Sequence, residues 1–244
     1  MRQFIYWLAV IGCLVLWSSA QAQHESDVIP TSQGDLTITF LGHGSLMFEH
    51  LGKVLYVDPF SRVADYSALP KADVILITHD HGDHLDTDAI AAVRTPLTAV
   101  AASPACRGKI KGANIINVNR TKNIGGFHVS TEPAYNLVHM RDSGEPYHAN
   151  MAGCGYIIPF GDVKVYVAGD TENTPEMKKL KDIDVAFLPM NLPYTMTPEM
   201  LADAALAFRP KILYPYHFGQ SDTAQLVQLM KDAAGIEVRV RKLQ

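Results

Sequence analysis

Short apolar runs, broken by glycines and polar turns, recur along most of the chain and predict many strands with few long helices. Leu36–Leu41, Ser45–Glu49 and Val54–Asp58 follow one another closely, separated by Gly42, Gly44 and Gly52. Asp73–Thr78 reads as a buried strand, Leu97–Ala101 as another, and Ile115–Val118 as a short apolar piece. Between them Asp86–Val93 has helical character with Asp86 as its cap, and Ser103-Pro104 opens a short helix. In the second half the predicted strands are Phe127–Thr131, Gly155–Pro159, Val163–Ala168, Asp184–Pro189, Lys211–Tyr214 and Glu237–Val240. Helices are predicted over Thr174–Leu180, over Thr197–Phe208 with Thr197 as cap, and over the amphipathic Asp222–Ala233. The polar stretch His24–Asp35 reads as a linker or a first edge element. Each half runs from strands into strand–helix alternation, which predicts two sheets packed face to face with helices outside. A three-layer α/β domain is the plainer alternative.

The amino terminus breaks this pattern. Arg2 precedes an apolar run from Phe4 to Trp17, and Ser18-Ser19-Ala20-Gln21-Ala22 follows. A basic start, an apolar centre and an Ala-x-Ala ending predict a signal peptide over 1–22, export to the periplasm or beyond, and no stable membrane insertion after cleavage. The run is shorter than the roughly 20 residues a spanning helix needs. Val10-Ile11-Gly12-Cys13 has the look of a lipoprotein site, but the apolar run continues past it to Trp17, and the signal peptide is the better reading. The remainder, 23–244, suits a single domain with a sizeable core.

Composition narrows the function classes. The formal net charge is −4 with no basic block, which argues against a nucleic-acid surface and leaves a small-molecule partner. Beyond Cys13, only Cys106 and Cys154 remain, too few for a disulfide framework, and spacing does not decide whether they pair. Oligomeric state is not legible.

The chemistry gathers at strand ends. Thr78-His79-Asp80-His81-Gly82-Asp83-His84 follows the strand at 73–78 directly. Alternate side chains of an extended segment point the same way, so His79 and His81 can reach one point; after the turn at Gly82, Asp83 and His84 can reach a second. Burying so many polar groups is costly unless something coordinates them. Imidazole with carboxylate favours zinc, with manganese or iron as alternatives. Asp170 stands in a G-D-T turn after another strand, where its two oxygens can each take one cation, and His217 follows the strand ending in Y-P-Y.

With F-L-G-H-G-S at 40–45, Y-V-D-P at 56–59, P-A-Y-N at 133–136 and G-C-G-Y at 153–156, these motifs resemble the metallo-β-lactamase fold superfamily over essentially the whole mature chain. The similarity is greatest to a metal-dependent hydrolase branch that includes ascorbate-lactonase-like proteins. It implies an α/β fold, a four-layer αββα sandwich, and two divalent metal ions, zinc first. It also implies that His79 and His81 serve one ion, that Asp83, His84 and His217 serve the other, and that Asp170 bridges them.

One position departs from that pattern. Asn136 stands where the family supplies a third histidine to the first ion. His148 is the leading substitute, with Asn136 and His139 as other possible ligands and an incomplete site as a further reading. The resemblance gives Asp58 a role beneath the metal histidines. It brings His43 near the metals as a proton donor or substrate contact, with a packed histidine that only shapes its turn as the equal alternative. Asp83 would orient the attacking water. Tyr194, Thr195 and Met196 follow a strand end and are candidates for the substrate rim or for a lead-in to the Thr197 cap. The expected function is an exported hydrolase of a small ester, lactone or phosphoester using a metal-bound hydroxide. The rival is a non-catalytic metal-binding or ligand-sensing protein of the same fold.

Overall fold

The computed structural model describes residues 24–243, so the expected signal peptide, the expected cleavage after Ala22 and Cys13 lie outside the described residues. Two seven-stranded sheets carry the fold, each with its strands in chain order. The first comprises β1 (Ser26–Thr31), β2 (Gly34–Gly42), β3 (Ser45–His50), β4 (Lys53–Val57), β5 (Val74–Ile77), β6 (Ala99–Ala102) and β7 (Asn114–Ile115). The second comprises β8 (Thr121–Ile124), β9 (Phe127–Ala134), β10 (Gly153–Phe160), β11 (Val163–Val167), β12 (Val185–Pro189), β13 (Ile212–Tyr216) and β14 (Glu237–Val238). Both sheets begin antiparallel and change to parallel pairing, at β4–β5 in one and at β11–β12 in the other.

Alternation along the strands sorts their side chains into layers. Leu36, Ile38, Phe40, Phe48, Leu55, Val74 and Leu76 share one buried cluster with the second sheet. Phe48 stacks on Phe160 at 5.5 Å and Phe40 meets Tyr214 at 5.3 Å, so aromatic rings join the two sheets. The alternate residues Tyr56, Ile75, Ile77 and Val100 form a separate cluster with Ile90 and Val93 of helix α1 (Thr87–Val93). On the other outer face, Phe208 of α2 (Pro198–Phe208) packs edge-on against Tyr166 at 6.2 Å, and α2 in turn contacts α3 (Thr223–Met230). Helix, sheet, sheet, helix is the α/β sandwich the resemblance implied. Asp86 caps α1 by accepting from the amides of Asp88 and Ala89, a contact worth about 1 kcal/mol.

Two local expectations change, and one left open is decided. The helix predicted over Thr174–Leu180 is only a 3-10 turn, Met177–Lys179. Thr174 is fully buried and its hydroxyl accepts from the Met177 amide, which tightens the start of a segment too short to sustain a helix. The strand β8 was not expected, because its exposed T-K-N-I pattern lacks alternation; the turn at Gly125-Gly126 brings it onto β9 as an edge. The polar stretch after His24 forms the edge strand β1.

The topology decides where the chemistry lies. Antiparallel pairing of β2 with β3 and of β3 with β4 makes β2 run with β4, β5 and β6. By the same count β9 runs with β11, β12 and β13. The carboxyl ends of these strands therefore open on one edge of each sheet, and the segments at 43, 58, 78–84, 136, 170, 191 and 217 all leave from those ends.

Candidate metal centre

The strand β5 ends at Ile77 and the chain stays extended just long enough to sort its next residues by side. His79 and His81 turn inward with ring centroids 4.7 Å apart, while Asp80 between them faces outward and pairs with Lys109. His148 joins them from the loop before β10, its ring 5.1 Å from that of His79 and 4.9 Å from that of His81. Donor atoms of these three histidines lie within 4.8 Å of one another, and so do those of His43, Asp83, His84 and His217. Asp170 lies between the two clusters. Its Oδ1 is 3.5 Å from His84 Nε2 and 3.4 Å from His217 Nδ1, while Oδ2 is 3.4 Å from His148 Nε2.

Asp58 fixes the orientation of two of these rings. Fully buried, it accepts from the Thr78 amide at 2.8 Å, from the Thr78 hydroxyl and from His84 Nδ1 at 2.8 Å. Because the Thr78 hydroxyl gives its proton to Asp58, it can only accept from His79 Nδ1, 3.0 Å away. Both rings thus carry their proton on Nδ1 and turn Nε2 inward.

Asn136 does the same for His148. Its Nδ2 donates to Glu172 Oε1 at 3.0 Å and to the Tyr194 carbonyl at 2.9 Å, partners that only accept. That fixes the amide: Oδ1 faces His148 and accepts from its backbone amide and from Nδ1, each at 2.8 Å. Asn136, expected as a possible ligand, is therefore the group that orients His148, since its oxygen is already engaged. Glu172 anchors this arrangement. Buried itself, it accepts from the amides of Leu137, Val138 and His139 at 2.6 to 2.7 Å. His139, the other possible ligand, lies with Nδ1 2.8 Å from Glu172 Oε1 and joins neither cluster.

Three site residues hold left-handed backbone: His43 at φ 53°, Asp58 at 45° and His217 at 47°. Non-glycine residues rarely do so, and such strain collects where a strand end must aim a side chain inward. The same tightness explains Gly44, where a Cβ would meet His84 Cε1 at 2.9 Å.

The electrostatics follow from burial and the carboxylates. Burial holds the His79 imidazole well below its usual range, and it takes His148 down to about 4. Burial also opposes charge on His84, but Asp170, Asp58 and Asp83 outweigh it and raise that group to about 9. Asp170 pays a burial penalty yet is held below the usual carboxylate range by His217, His84 and His148. Asp83, on the cleft side, is likewise held low against its partial burial, by hydrogen bonds from His217 and from His43 Nε2, the latter at 2.9 Å.

Five buried polar atoms at this centre have no hydrogen-bond partner: Nε2 of His79, His84 and His148, Nδ1 of His217 and Oδ1 of Asp170. Leaving one such atom unpaired costs about 1–3 kcal/mol, so five converging atoms fit a bound cation far better than a packed core. The donors are imidazoles and carboxylates. Cys106 and Cys154 are buried free thiols outside both clusters.

The family described as "Beta-lactamase superfamily domain" matches residues 37–217. A Methanopyrus kandleri protein named a UPF0173 metal-dependent hydrolase is 30% identical over 200 residues, covering 75% of this chain and 84% of that one. The chain belongs to the metallo-β-lactamase superfamily and to its UPF0173 metal-dependent hydrolase family. Among solved structures, a Parabacteroides distasonis protein crystallised as a candidate metal-dependent hydrolase superposes with a TM-score of 0.86 at 47% identity, covering 91% of this chain and all of that one. The metallo hydrolase Igni18 of Ignicoccus hospitalis gives 0.68 at 26% identity over 85% of this chain and 95% of its own.

The rim divides between the two readings of its residues. Tyr194 is partly exposed and lines the cleft over the donors, but Thr195 and Met196 are fully buried. The Thr195 hydroxyl accepts from the Asn191 amide at 2.7 Å, which closes the turn and draws both residues inward. Thr78 and Glu172 were missed. Each is adjacent to a motif that was read, T-H-D-H and G-D-T-E, but neither type announces itself as a positioning group.

Proposed function

We propose that this metal-dependent hydrolase cleaves a small ester, lactone or phosphoester, using two divalent ions, zinc before manganese or iron, outside the cytoplasm. The observation that carries the reading is the set of orphaned donor atoms converging on Asp170 from both clusters. His79, His81 and His148 would hold one ion, Asp83, His84 and His217 the other, and Asp170 would contact both. Bound there, such ions would bring the acidity of a coordinated water from 15.7 toward about 7 and polarise the bond to be cleaved.

The chain's own groups do the rest. Asp58 and Asn136 hold three histidines with Nδ1 engaged and Nε2 turned inward. Asp83, ionised and partly open to the cleft, would accept a hydrogen bond from the attacking water and so orient it. His43 Nε2–H donates to Asp83 and can pass a proton toward a leaving oxygen. The cleft over these groups measures about 450 Å³, a small-molecule size.

The rival, a non-catalytic binding protein, rested on Asn136 standing in place of a histidine. With the His148 ring beside His79 and His81, that support falls away. Metal content, followed by assays on a generic lactone and on bis(p-nitrophenyl) phosphate with and without chelator, tests the reading. Chelator-sensitive turnover of at least one is expected; full metal loading with no turnover across an ester, lactone and phosphodiester panel overturns it. Export rests on the sequence at 1–22: a mature chain beginning at Gln23 in the periplasmic or secreted fraction is expected, and a full-length chain confined to the cytoplasm would count against it.

A further inference from the structure

Arg141 is the single Lys or Arg among the described residues that line the cleft over the donors or the recess beside His79 and His148. A tight turn holds it, its amide donating to the Glu145 carbonyl at 2.7 Å and its carbonyl accepting from Gly144 at 2.8 Å. The guanidinium carbon stands 5.0 Å from the centre of the Tyr147 ring, and Nη2 donates to the Tyr147 carbonyl at 3.2 Å. No described carboxylate lies within ion-pair distance of it, although Asp142 and Glu145 are near in sequence. Tyr147 meets Tyr194 edge-on at 5.0 Å, and the Tyr194 carbonyl accepts from Asn136, the residue that also orients His148. The cation and its aromatic wall are thereby tied to the donor cluster by two short links.

An unpaired guanidinium at the mouth of a site rich in carboxylates has a physical consequence. Its planar fork matches a carboxylate or phosphate, and an aromatic face beneath it limits the conformations it must give up on binding. Asp83 and Asp170 face the histidines of the two clusters, so they leave Arg141 free for an incoming anion. Exposed Leu137, Val138 and Leu192 on the same two loops add apolar surface next to the tyrosines.

We propose that Arg141, Tyr147 and Tyr194 form an anion subsite, so that the substrate carries a carboxylate or phosphate at one end of an apolar or aromatic body, apart from the bond to be cleaved. This rests on the hydrolase reading for the word substrate, but the subsite itself can be measured without turnover. The probes are succinate, glutarate and adipate against butyrate, and 3-phosphonopropionate against succinate, titrated into metal-loaded protein. The best-fitting dianion binds at least about fivefold tighter than butyrate. Arg141→Gln abolishes that advantage while leaving butyrate unchanged, and Arg141→Lys keeps part of it. The phosphonate arm separates a phosphate preference from a carboxylate one.

An unchanged dianion-to-butyrate ratio in Arg141→Gln overturns the subsite. In turnover, Arg141→Gln raises KM for a carboxylated ester about tenfold with kcat little altered, and leaves the neutral counterpart alone. Turnover of neutral esters with no Arg141-dependent preference for anionic ones would sink the subsite and spare the hydrolase reading. No turnover, with a dianion advantage that Arg141→Gln removes, would do the reverse.

Discussion

The two donor clusters are supported in different ways. His84 and His217 leave the carboxyl ends of strands in the two sheets, and the ring of His84 is locked by a buried carboxylate on the neighbouring strand end. The cluster of His79, His81 and His148 draws its third ring from a loop between β9 and β10, and only Asn136, steadied by Glu172, fixes that ring. One cluster is therefore set by sheet geometry and the other leans on a relay. A site on rigid elements is more precise than one on loops, so damage to the relay should be local and damage to the sheet-borne carboxylates general.

The largest effect is expected at the group both clusters share. Asp170→Ala removes the carboxylate that faces His84, His217 and His148 at once. Metal content measured by mass spectrometry should fall at both clusters together. Retention of two tightly held ions would break the idea that the clusters meet at Asp170.

Next comes Asp58→Asn. It leaves the volume intact but takes the charge from a fully buried pair with His84 and disturbs the Thr78 hydroxyl that orients His79. Breaking such a pair typically costs about 3–5 kcal/mol. Chemical denaturation of the metal-free protein should show a loss of that order, with weakened metal binding at both clusters. A change under about 1 kcal/mol would mean that Asp58 orients nothing of consequence.

The relay is expected to matter less and on one side only. Asn136→Ala frees the His148 ring and should weaken metal binding about 10–100-fold at the three-histidine cluster, with the other cluster untouched. Glu172→Gln should give a smaller loss of the same kind. Equal losses at both clusters would erase the contrast between them.

How far the sequence carried the centre depends on the same contrast. The strand-borne donors were legible because an apolar run announces a strand, and residues just past its carboxyl end gather at one edge of the sheet; T-H-D-H-G-D-H, G-D-T and Y-P-Y-H all obey that rule. The αββα layering was implied by resemblance and needed no exact boundaries. The relay was not legible, because Asn136 and His148 are twelve positions apart in a polar stretch without periodicity, and only the closed loop makes them partners. Thr195 and Met196 misled for a related reason: a strand end predicts exposure, but a side-chain hydrogen bond folded that turn inward.

The smallest effect compares the clusters by their protons. His148 is lowered by burial to about 4 and is neutral at pH 7.5, so an ion arriving there displaces no proton from it. His84, raised to about 9 by Asp170, Asp58 and Asp83 against its burial, is protonated on both nitrogens at that pH. An ion can reach His84 Nε2 only by releasing about one proton. Calorimetric titration in buffers of different ionisation enthalpy should therefore show a buffer-dependent heat for the second cluster at pH 7.5 that fades by pH 10. Stability of the metal-free protein runs the opposite way. A histidine whose folded-state pKa is raised contributes fully below its ordinary 6.5 and loses that contribution as the pH passes through about 9. Between those limits the empty protein should soften while its second cluster gains affinity. A heat that does not depend on buffer at pH 7.5 would show that His84 is already neutral, and that the carboxylates around it do not hold its proton.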